Sequence, residues 1–550
     1  MAEIKDGIAI IPEGTTEIGN YAFYHCSDLT SINIPEGVTS IGDYAFEACT
    51  NLASIVIPAS VTKIGNRAFE GCTGLTSIAI PEGVTSIGYN AFEGCTGLTS
   101  IVIPASVIEI AYQAFCDCMG LTSVVISEGI TQIGAAAFTG CTSLTSIVIP
   151  EGVTKIGVAA FKGCTSLTSI AIPASVTELE DGKIFEGCAS LASITIAEGN
   201  KVYDSRENCN AIIETATNTL IVGCNTTIIP ESITKIKWHA FFGRTGLTCI
   251  NIPESVTDIE SAAFGGCTSL TNVTLPKSVT KIDNAVFKGC TGLTSITIPE
   301  SVTKIGTHAF DDCTSLTSIT IHAKVTDIYH INPFINCPSL TSIVVAEGNE
   351  RYDSRNNCNA IIEKTAIVAG CANTVIPDDI ETISDSAFMG SSVTEIEIPT
   401  TVREIKSWAF GDCKELTRVV IPNTVTTIEN SIFQDCVKLA HVEFPWSVVN
   451  AESFKRITYD MFRGCTGLTR IEIPAGIIGI ERCAFKDCTN LKEVTLPAGI
   501  KKVDEEVFDG CTSLEAIKVP AKKGDYYKKR LPEEVHKFIV ELGPEKKAKK

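Results

Sequence analysis

Phenylalanine recurs at positions 23, 46, 69, 92, 115, 138 and 161, one every 23 residues. The text around each marker barely changes, as in Ala68-Phe69-Glu70-Gly71-Cys72-Thr73-Gly74-Leu75-Thr76-Ser77-Ile78-Ala79-Ile80-Pro81. A fixed period of this length confines the chain to a solenoid. One unit is too short to close a core and buries its apolar side only against stacked neighbours.

Within a unit the pattern predicts the path of a coil. Leu29, Ile32 and Ile34 alternate with small polar residues and stop at Pro35, which reads as a short strand ended by a residue with no backbone donor. Glu36-Gly37 is a turn, and Val38 to Gly42 is a second extended piece. Asp43 to Cys49 reads as a helical or 3₁₀ corner with Ala45 and Phe46 inward. The expected fold is therefore an α/β repeat solenoid, mostly β, of short parallel strands with short helical or 3₁₀ corners.

The Phe markers continue at 185, 241, 264, 287, 310, 334, 388, 410, 433, 462, 485 and 508. Cys follows three residues after all of them except Phe241 and Phe388, where Arg244 and Ser391 stand instead. Cys26, Cys49, Cys72, Cys95, Cys118, Cys141 and Cys164 open this column, which reads as an internal ladder of reduced thiols, since free Cys is among the most buried residue types. Two long spacings break the rhythm, Phe185 to Phe241 and Phe334 to Phe388. Both hold related text, about 197–229 and 346–376, including Tyr203-Asp204-Ser205-Arg206 and Tyr352-Asp353-Ser354-Arg355. Each is read as a variant coil holding a β-hairpin. Cys209/Cys224 and Cys358/Cys371 lie on the arms of these hairpins and are the pairs to consider if the chain is oxidised.

A third irregularity, the expanded coil at about 437–462, contains Trp446 and Phe454. After Pro520 the repeat ends, so a single solenoid spans 1–520 and 521–550 forms a separate end. There Val535, Phe538, Ile539 and Leu542 fall at helical spacing behind Pro532, which predicts a capping helix. No capping segment precedes Gly7, so an open first coil is expected.

Charge restricts the partner. The chain carries 64 acidic and 44 basic residues, a net −20, which argues against nucleic acid, whose binding needs a basic face. The stretch from Lys522 to Lys550 is the exception, with ten Lys/Arg against five Asp/Glu, and reads as a solubilising tail. No apolar run reaches the length of a transmembrane helix. Residues 1–7 lack a secretory leader, so a chain that natively starts here would be cytoplasmic.

The unit Leu-x-x-Ile-x-Ile-Pro-x-x-Val-Thr-x-Ile-Gly-x-x-Ala-Phe-x-x-Cys resembles the BspA-like class of leucine-rich repeats, from about Gly7 to Pro520. The resemblance implies a right-handed leucine-rich-repeat superhelix of the kind found in gut and oral anaerobic bacteria. It further implies cell-surface or secreted placement, with adhesion or host-protein binding. It implies no enzymatic residues. One departure from the common leucine-rich pattern matters. Where that pattern has an Asn ladder, this chain has Gly37, Ser60, Gly83 and Ser106, so the backbone at that turn needs another partner.

The residues themselves offer little chemistry. Phosphate loops, nucleophile elbows, dinucleotide fingerprints and closed metal spacings are absent from the text, and no cofactor is implied. Cys116-Asp117-Cys118 is a close Cys pair, but Cys118 belongs to the ladder. His322 and His330 fall in one coil near Cys313 and Cys337 and read as surface histidines. The 204–208 segment lacks the central Gly and alternating ligands of a calcium loop. What remains is surface. Val56, Val102, Val125 and Val148 occupy the outward position between the two inward residues of the main strand, flanked by Thr-Ser columns. They form one candidate protein-binding face, and Trp446 with Phe454 form another. The expected function is non-enzymatic protein binding or adhesion, the partner being a host extracellular protein or another surface protein. The second reading is a structural scaffold or self-associating surface protein without a discrete ligand. Oligomeric state is not legible.

Overall fold

The computed structural model describes residues 3–180, 182–329, 331–444 and 455–543. The chain divides into two compact units, Met1–Leu270 and Thr271–Lys550.

In the first unit the main strands Ile8–Ile10, Ser31–Asn33, Ser54–Val56, Ser77–Ile78, Ser100–Ile103 and Ser123–Ile126 form one parallel ladder. Its register equals the sequence period: Ser31 faces Ser54, Ile32 faces Ile55, and Asn33 faces Val56. The second extended pieces make their own parallel ladders, from Glu17–Ile18 to Ser86–Ile87 and from Glu109–Ile110 to Glu178–Leu179. Alternation then sorts the side chains, with Ile101 and Ile103 buried and Val102 exposed. The first coil is not open. Glu3–Lys5 folds back antiparallel along Ile8–Ile10 and covers its backbone edge.

The corners place Ala45 and Phe46 inward, both fully buried. Gly182–Phe185 adopts the 3₁₀ turn. Elsewhere the corner is a run of turns, because Tyr44 and Ala48 sit at φ near +59° and +56° and interrupt helical backbone. At the second of these positions the repeat often uses Gly, as at Gly71 and Gly94. Amides are satisfied from the next coil: Tyr44 N donates to Asn66 O and Phe46 N to Ala68 O, both at 2.8 Å. The Phe rings stack inside, Phe23 on Phe46 and Phe46 on Phe69 at 5.2 Å between centroids, nearly parallel.

The turn lacking an Asn ladder is held by serine from the following coil. Ser60 Oγ donates to Val38 O at 2.7 Å and accepts from Gly37 N at 3.2 Å. Ser175 repeats this with Val153 and Gly152.

Each insert is a hairpin built into the wall. Ala211–Glu214 pairs antiparallel with Thr219–Gly223, and in the second unit Ala360–Glu363 pairs with Ala366–Gly370. Both hairpins then continue as parallel strands of the second ladder, to Lys235–Ile236 and to Thr382–Ile383. Their strands are almost wholly buried, so they are wall rather than protruding loops. A device common to the two inserts closes the interrupted ladder: Tyr203 Oη accepts from Leu179 N at 3.1 Å, and Tyr352 Oη from Ile328 N at 2.9 Å. The inserts bring no Phe-Cys corner of their own, so the flanking corners meet directly, Gly187 N to Phe242 O and Asn336 N to Met389 O.

In the second unit the same coils run to the C-terminal end, where the expected single helix is replaced. Gly524–Lys528 is a short α-helix, Glu533–Phe538 a 3₁₀ turn, and Ile539–Glu541 a strand parallel to Ala516–Val519. Val535 is buried as expected, but Leu542 is exposed. A parallel strand left at an edge needs backbone partners, and another strand supplies them where a helix cannot. Tyr527, fully buried, donates its hydroxyl to Pro497 O. Residues 544–550 of the basic tail lie outside the described residues.

Candidate interaction surface

The outward valines form a column on the main ladder of the first unit. Val56, Val102, Val125 and Val148 are 67, 52, 55 and 77% exposed, although each is bracketed by buried aliphatic residues. Val102 and Val125 are direct partners in register. Val148 keeps the alternation, with Ile147 and Ile149 buried, but its segment joins no strand ladder. The Thr column beside them is engaged internally. Thr99 Oγ1 donates to Thr76 O at 3.4 Å, Thr122 to Thr99 O at 3.0 Å, and Thr168 to Thr145 O at 3.3 Å. These hydroxyls spend their hydrogen on the backbone and present methyls and lone pairs, so the face offers few donors.

The corresponding column of the second unit is different. It mixes Thr274, Thr297, Thr320 and the exposed Val344 with Glu397, Glu443, Glu472 and Lys518, and two of these charges pair with neighbours: Glu443 with Arg418 at 2.8 Å and with His441 at 2.9 Å, and Lys518 with Glu493 at 2.6 Å. An apolar stripe thus belongs to the first unit. The other candidate, Trp446 with Phe454, lies outside the described residues.

The thiols are oriented for structure. Cys49 donates to Phe23 O at 3.0 Å, Cys72 to Phe46 O and Cys95 to Phe69 O at 3.1 Å, Cys118 to Phe92 O at 3.0 Å. Cys141 and Cys164 repeat the contact with Phe115 and Phe138 at 3.2 Å, while Cys26, the first of the column, is half-buried. Burial pushes the Cys49 thiol up to about 12 and holds Cys95 and Cys141 well above the ordinary range, which leaves them protonated and unreactive. All 24 cysteines carry free thiols. In the inserts Cys224 Sγ donates to Asn210 O and Cys371 Sγ to Asn359 O, both at 3.3 Å. Cys209 meets Ser205 Oγ at 3.7 Å, and Cys358 the Ala360 carbonyl at 4.0 Å. Each thiol of the two candidate pairs therefore has its own partner.

Glu93, Cys116 and Asp117 hold ligand atoms within 4.8 Å of one another, the one such His/Cys/Asp/Glu group among the described residues. Cys118 faces away into the ladder. Burial, then the charges of Asp117 and Glu93, push the Cys116 thiol up to about 12, and Glu93 is already bonded by Asn90. One thiol and two carboxylates fall short of a closed four-ligand zinc set. Cys313 and Cys337 likewise donate to backbone carbonyls, away from His322, and His330 lies outside the described residues. Asp204 is occupied by Arg206, with Nε to Oδ1 at 2.8 Å and Nη2 to Oδ2 at 2.5 Å.

The sequence marks Arg244 only as a break in the Cys column and assigns it no role. It replaces a ladder cysteine, is 1% exposed, and gives Nε to Gly223 O and Nη1 to Phe185 O, both at 2.8 Å. The break in the Cys column was the signal.

The model of the BspA type leucine rich repeat region (6 copies) matches residues 8–122, 108–220, 220–341, 368–454 and 446–529. No curated protein matches. Among solved structures, a leucine rich cell surface protein from Faecalibacterium prausnitzii A2-165 is 28% identical over 72% of this chain and 89% of its own, with a TM-score of 0.46. A leucine-rich repeat protein from Bacteroides ovatus is 21% identical, covering 93% and 92%, with a TM-score of 0.28. The pneumococcal vaccine antigen PcpA is 16% identical, covering 76% and 80%, with a TM-score of 0.38.

Proposed function

The chain belongs to the BspA-type leucine-rich repeat family, and from that premise we propose that it is a non-enzymatic protein-binding solenoid, displayed at the cell surface or secreted, that engages a protein partner through its valine column. The observation that carries the reading is the exposure of Val102, Val125 and Val148 in successive coils, at 52, 55 and 77%. Contiguous exposed apolar surface on a rigid frame suits association. The spacing of the column, near 4.8 Å per coil, suits an extended partner segment that lays side chains along it. The non-enzymatic part of the reading is supported by thiols that burial keeps protonated.

The test is a triple change, Val102→Lys with Val125→Lys and Val148→Lys, against pull-down from host extracellular proteins and from surface proteins of the producing cell. Capture by the parent chain and loss in the variant is the expected result. Capture that survives the triple change would remove this face. Concentration-dependent self-assembly in sedimentation, lost in the same variant, would point instead to a scaffold.

A further inference from the structure

A cavity of about 460 Å³ opens in the first unit beside the hairpin of the first insert. The second insert serves as an internal comparison. Residues 197–214 and 346–363 differ at 201/350, 202/351 and 207/356 and are otherwise identical. Past them the two copies diverge at two places. The hairpin turn is four residues in the first insert, Thr215 to Asn218, and two in the second, Lys364 and Thr365. Three residues before the next corner Phe stands Trp238 in the first and Asp385 in the second. Both changes meet in one place, since Thr217 of the longer turn and the Trp238 ring line the same cavity.

Trp238 is half-buried, and its indole is held by the corner around it. Lys183 Nζ stands over the ring at 5.3 Å from its centroid, and the His239 ring meets it edge-on at 4.9 Å. Its backbone N donates to Glu260 Oε2 at 2.9 Å, and Lys235 pairs with the other oxygen of that carboxylate. In the turn the Thr219 and Thr217 hydroxyls lie 2.9 Å apart in a chain that ends on Glu214 Oε2, which leaves Glu214 Oε1 as an acceptor. Lys237, also in the lining, has no carboxylate partner among the described residues and leaves its ammonium as a donor.

The lining thus sets an aromatic ring beside one available donor and one available acceptor. Its two ammoniums, Lys235 and Lys237, balance its two carboxylates, Glu214 and Glu260, so it favours neither a cation nor an anion. A ligand suited to it is uncharged, has an apolar side for the indole, and carries groups that both donate and accept. A pyranose has these properties: C–H groups cover a face of its ring, and each rim hydroxyl offers one donor and two lone pairs. The volume lies within the roughly 300–1,000 Å³ of small-ligand pockets.

We propose that this cavity binds a neutral hexose unit of a glycan, its C–H face against Trp238 and its hydroxyls on Lys237 and Glu214. The site uses no residue of the valine column and stands apart from that reading.

The experiment titrates the full chain by isothermal calorimetry with maltotetraose, cellotetraose and mannotetraose, and with tetragalacturonate as the acidic counterpart. Saturable heat with a neutral tetrasaccharide is expected, weaker by about tenfold in Trp238→Ala and by about tenfold in Lys237→Met. Replacing residues 215–218 with the two-residue Lys-Thr turn of the second insert should abolish the heat while keeping a cooperative melt, because the chain already closes an equivalent hairpin with that turn. No saturable heat with any neutral compound, binding of tetragalacturonate alone, or undiminished binding in Trp238→Ala would each overturn the proposal. If Trp238→Ala fails to fold, the turn replacement and Lys237→Met still decide it.

Discussion

Cys95 donates its thiol hydrogen to the main-chain carbonyl of Phe69 at 3.1 Å, across 26 residues of sequence and one turn of the solenoid. The same contact recurs in both units, as in Cys267 to Phe241 and Cys436 to Phe410. It explains why this column holds cysteine. The site is fully buried and small, and it faces a carbonyl. Alanine would fit without donating, and serine would donate at a higher desolvation cost.

Cys95→Ala should therefore cost about 1–3 kcal/mol, the usual range for leaving a buried acceptor unpaired. Urea denaturation of the full chain measures it. A change near zero would show that packing alone holds the column.

Alkaline pH should destabilise the fold. Burial raises Cys49 and Cys267 from 9.0 to about 12, so above pH 9 the unfolded chain loses these protons while the folded one keeps them. The unfolded state then binds fewer protons, and stability falls as pH rises from about 9 to 12, by about 1.4 kcal/mol per pH unit for each such thiol. Denaturation midpoints at pH 8, 9 and 10 check the slope, which Cys49→Ala should flatten.

The period made the coil legible, because Phe, Cys, Pro and the outward valines each answer to a local rule repeated at 23 residues. It could not show what the thiols touch, since the Phe carbonyl they reach belongs to the preceding coil and carries no side-chain signature. Nor could it show that the inserts are wall. Ala211–Glu214 and Thr219–Gly223 look like any hairpin until the buried Phe241 ring lies so close to Gly223 that a Cβ there would come within 2.1 Å of it. The apolar spacing of Val535, Phe538, Ile539 and Leu542 was real, but the unpaired edge of Ala516–Val519 outweighed helical periodicity. Val56, Val102, Val125 and Val148 were placed correctly as outward; their partner is written in no local pattern.

Cys249 is the exposed exception among the 24 thiols, with Cys26 and Cys511 half-buried at column ends. Maleimide under native conditions should modify Cys249 fast and the ladder only on unfolding. Intact-mass spectrometry reads the stoichiometry, and Cys249→Ser should remove the fast phase.

Arg244→Ala should be among the costlier single changes, at about 3–5 kcal/mol, because it opens a cavity and removes the donors to Gly223 O and Phe185 O. Arg244→Cys restores the column residue but cannot reach both carbonyls. Its stability should fall between those of Arg244→Ala and the parent chain, as read by the same denaturation series.

Val125→Lys should leave stability within about 0.5 kcal/mol, the ordinary range for a surface substitution. Val125 is 55% exposed, and its strand is held by Val124 and Ile126 inward and by backbone pairing with Ser100–Ile103. A lysine there loses some β preference but keeps its stem on the sheet and its ammonium in water. Val124→Lys, one position away, reverses the geometry and forces a charge into the core, so the protein should fail to fold. The contrast tests the face directly: an unchanged melting temperature for Val125→Lys makes any loss of partner capture a property of the surface, whereas a large drop would place Val125 in the packing.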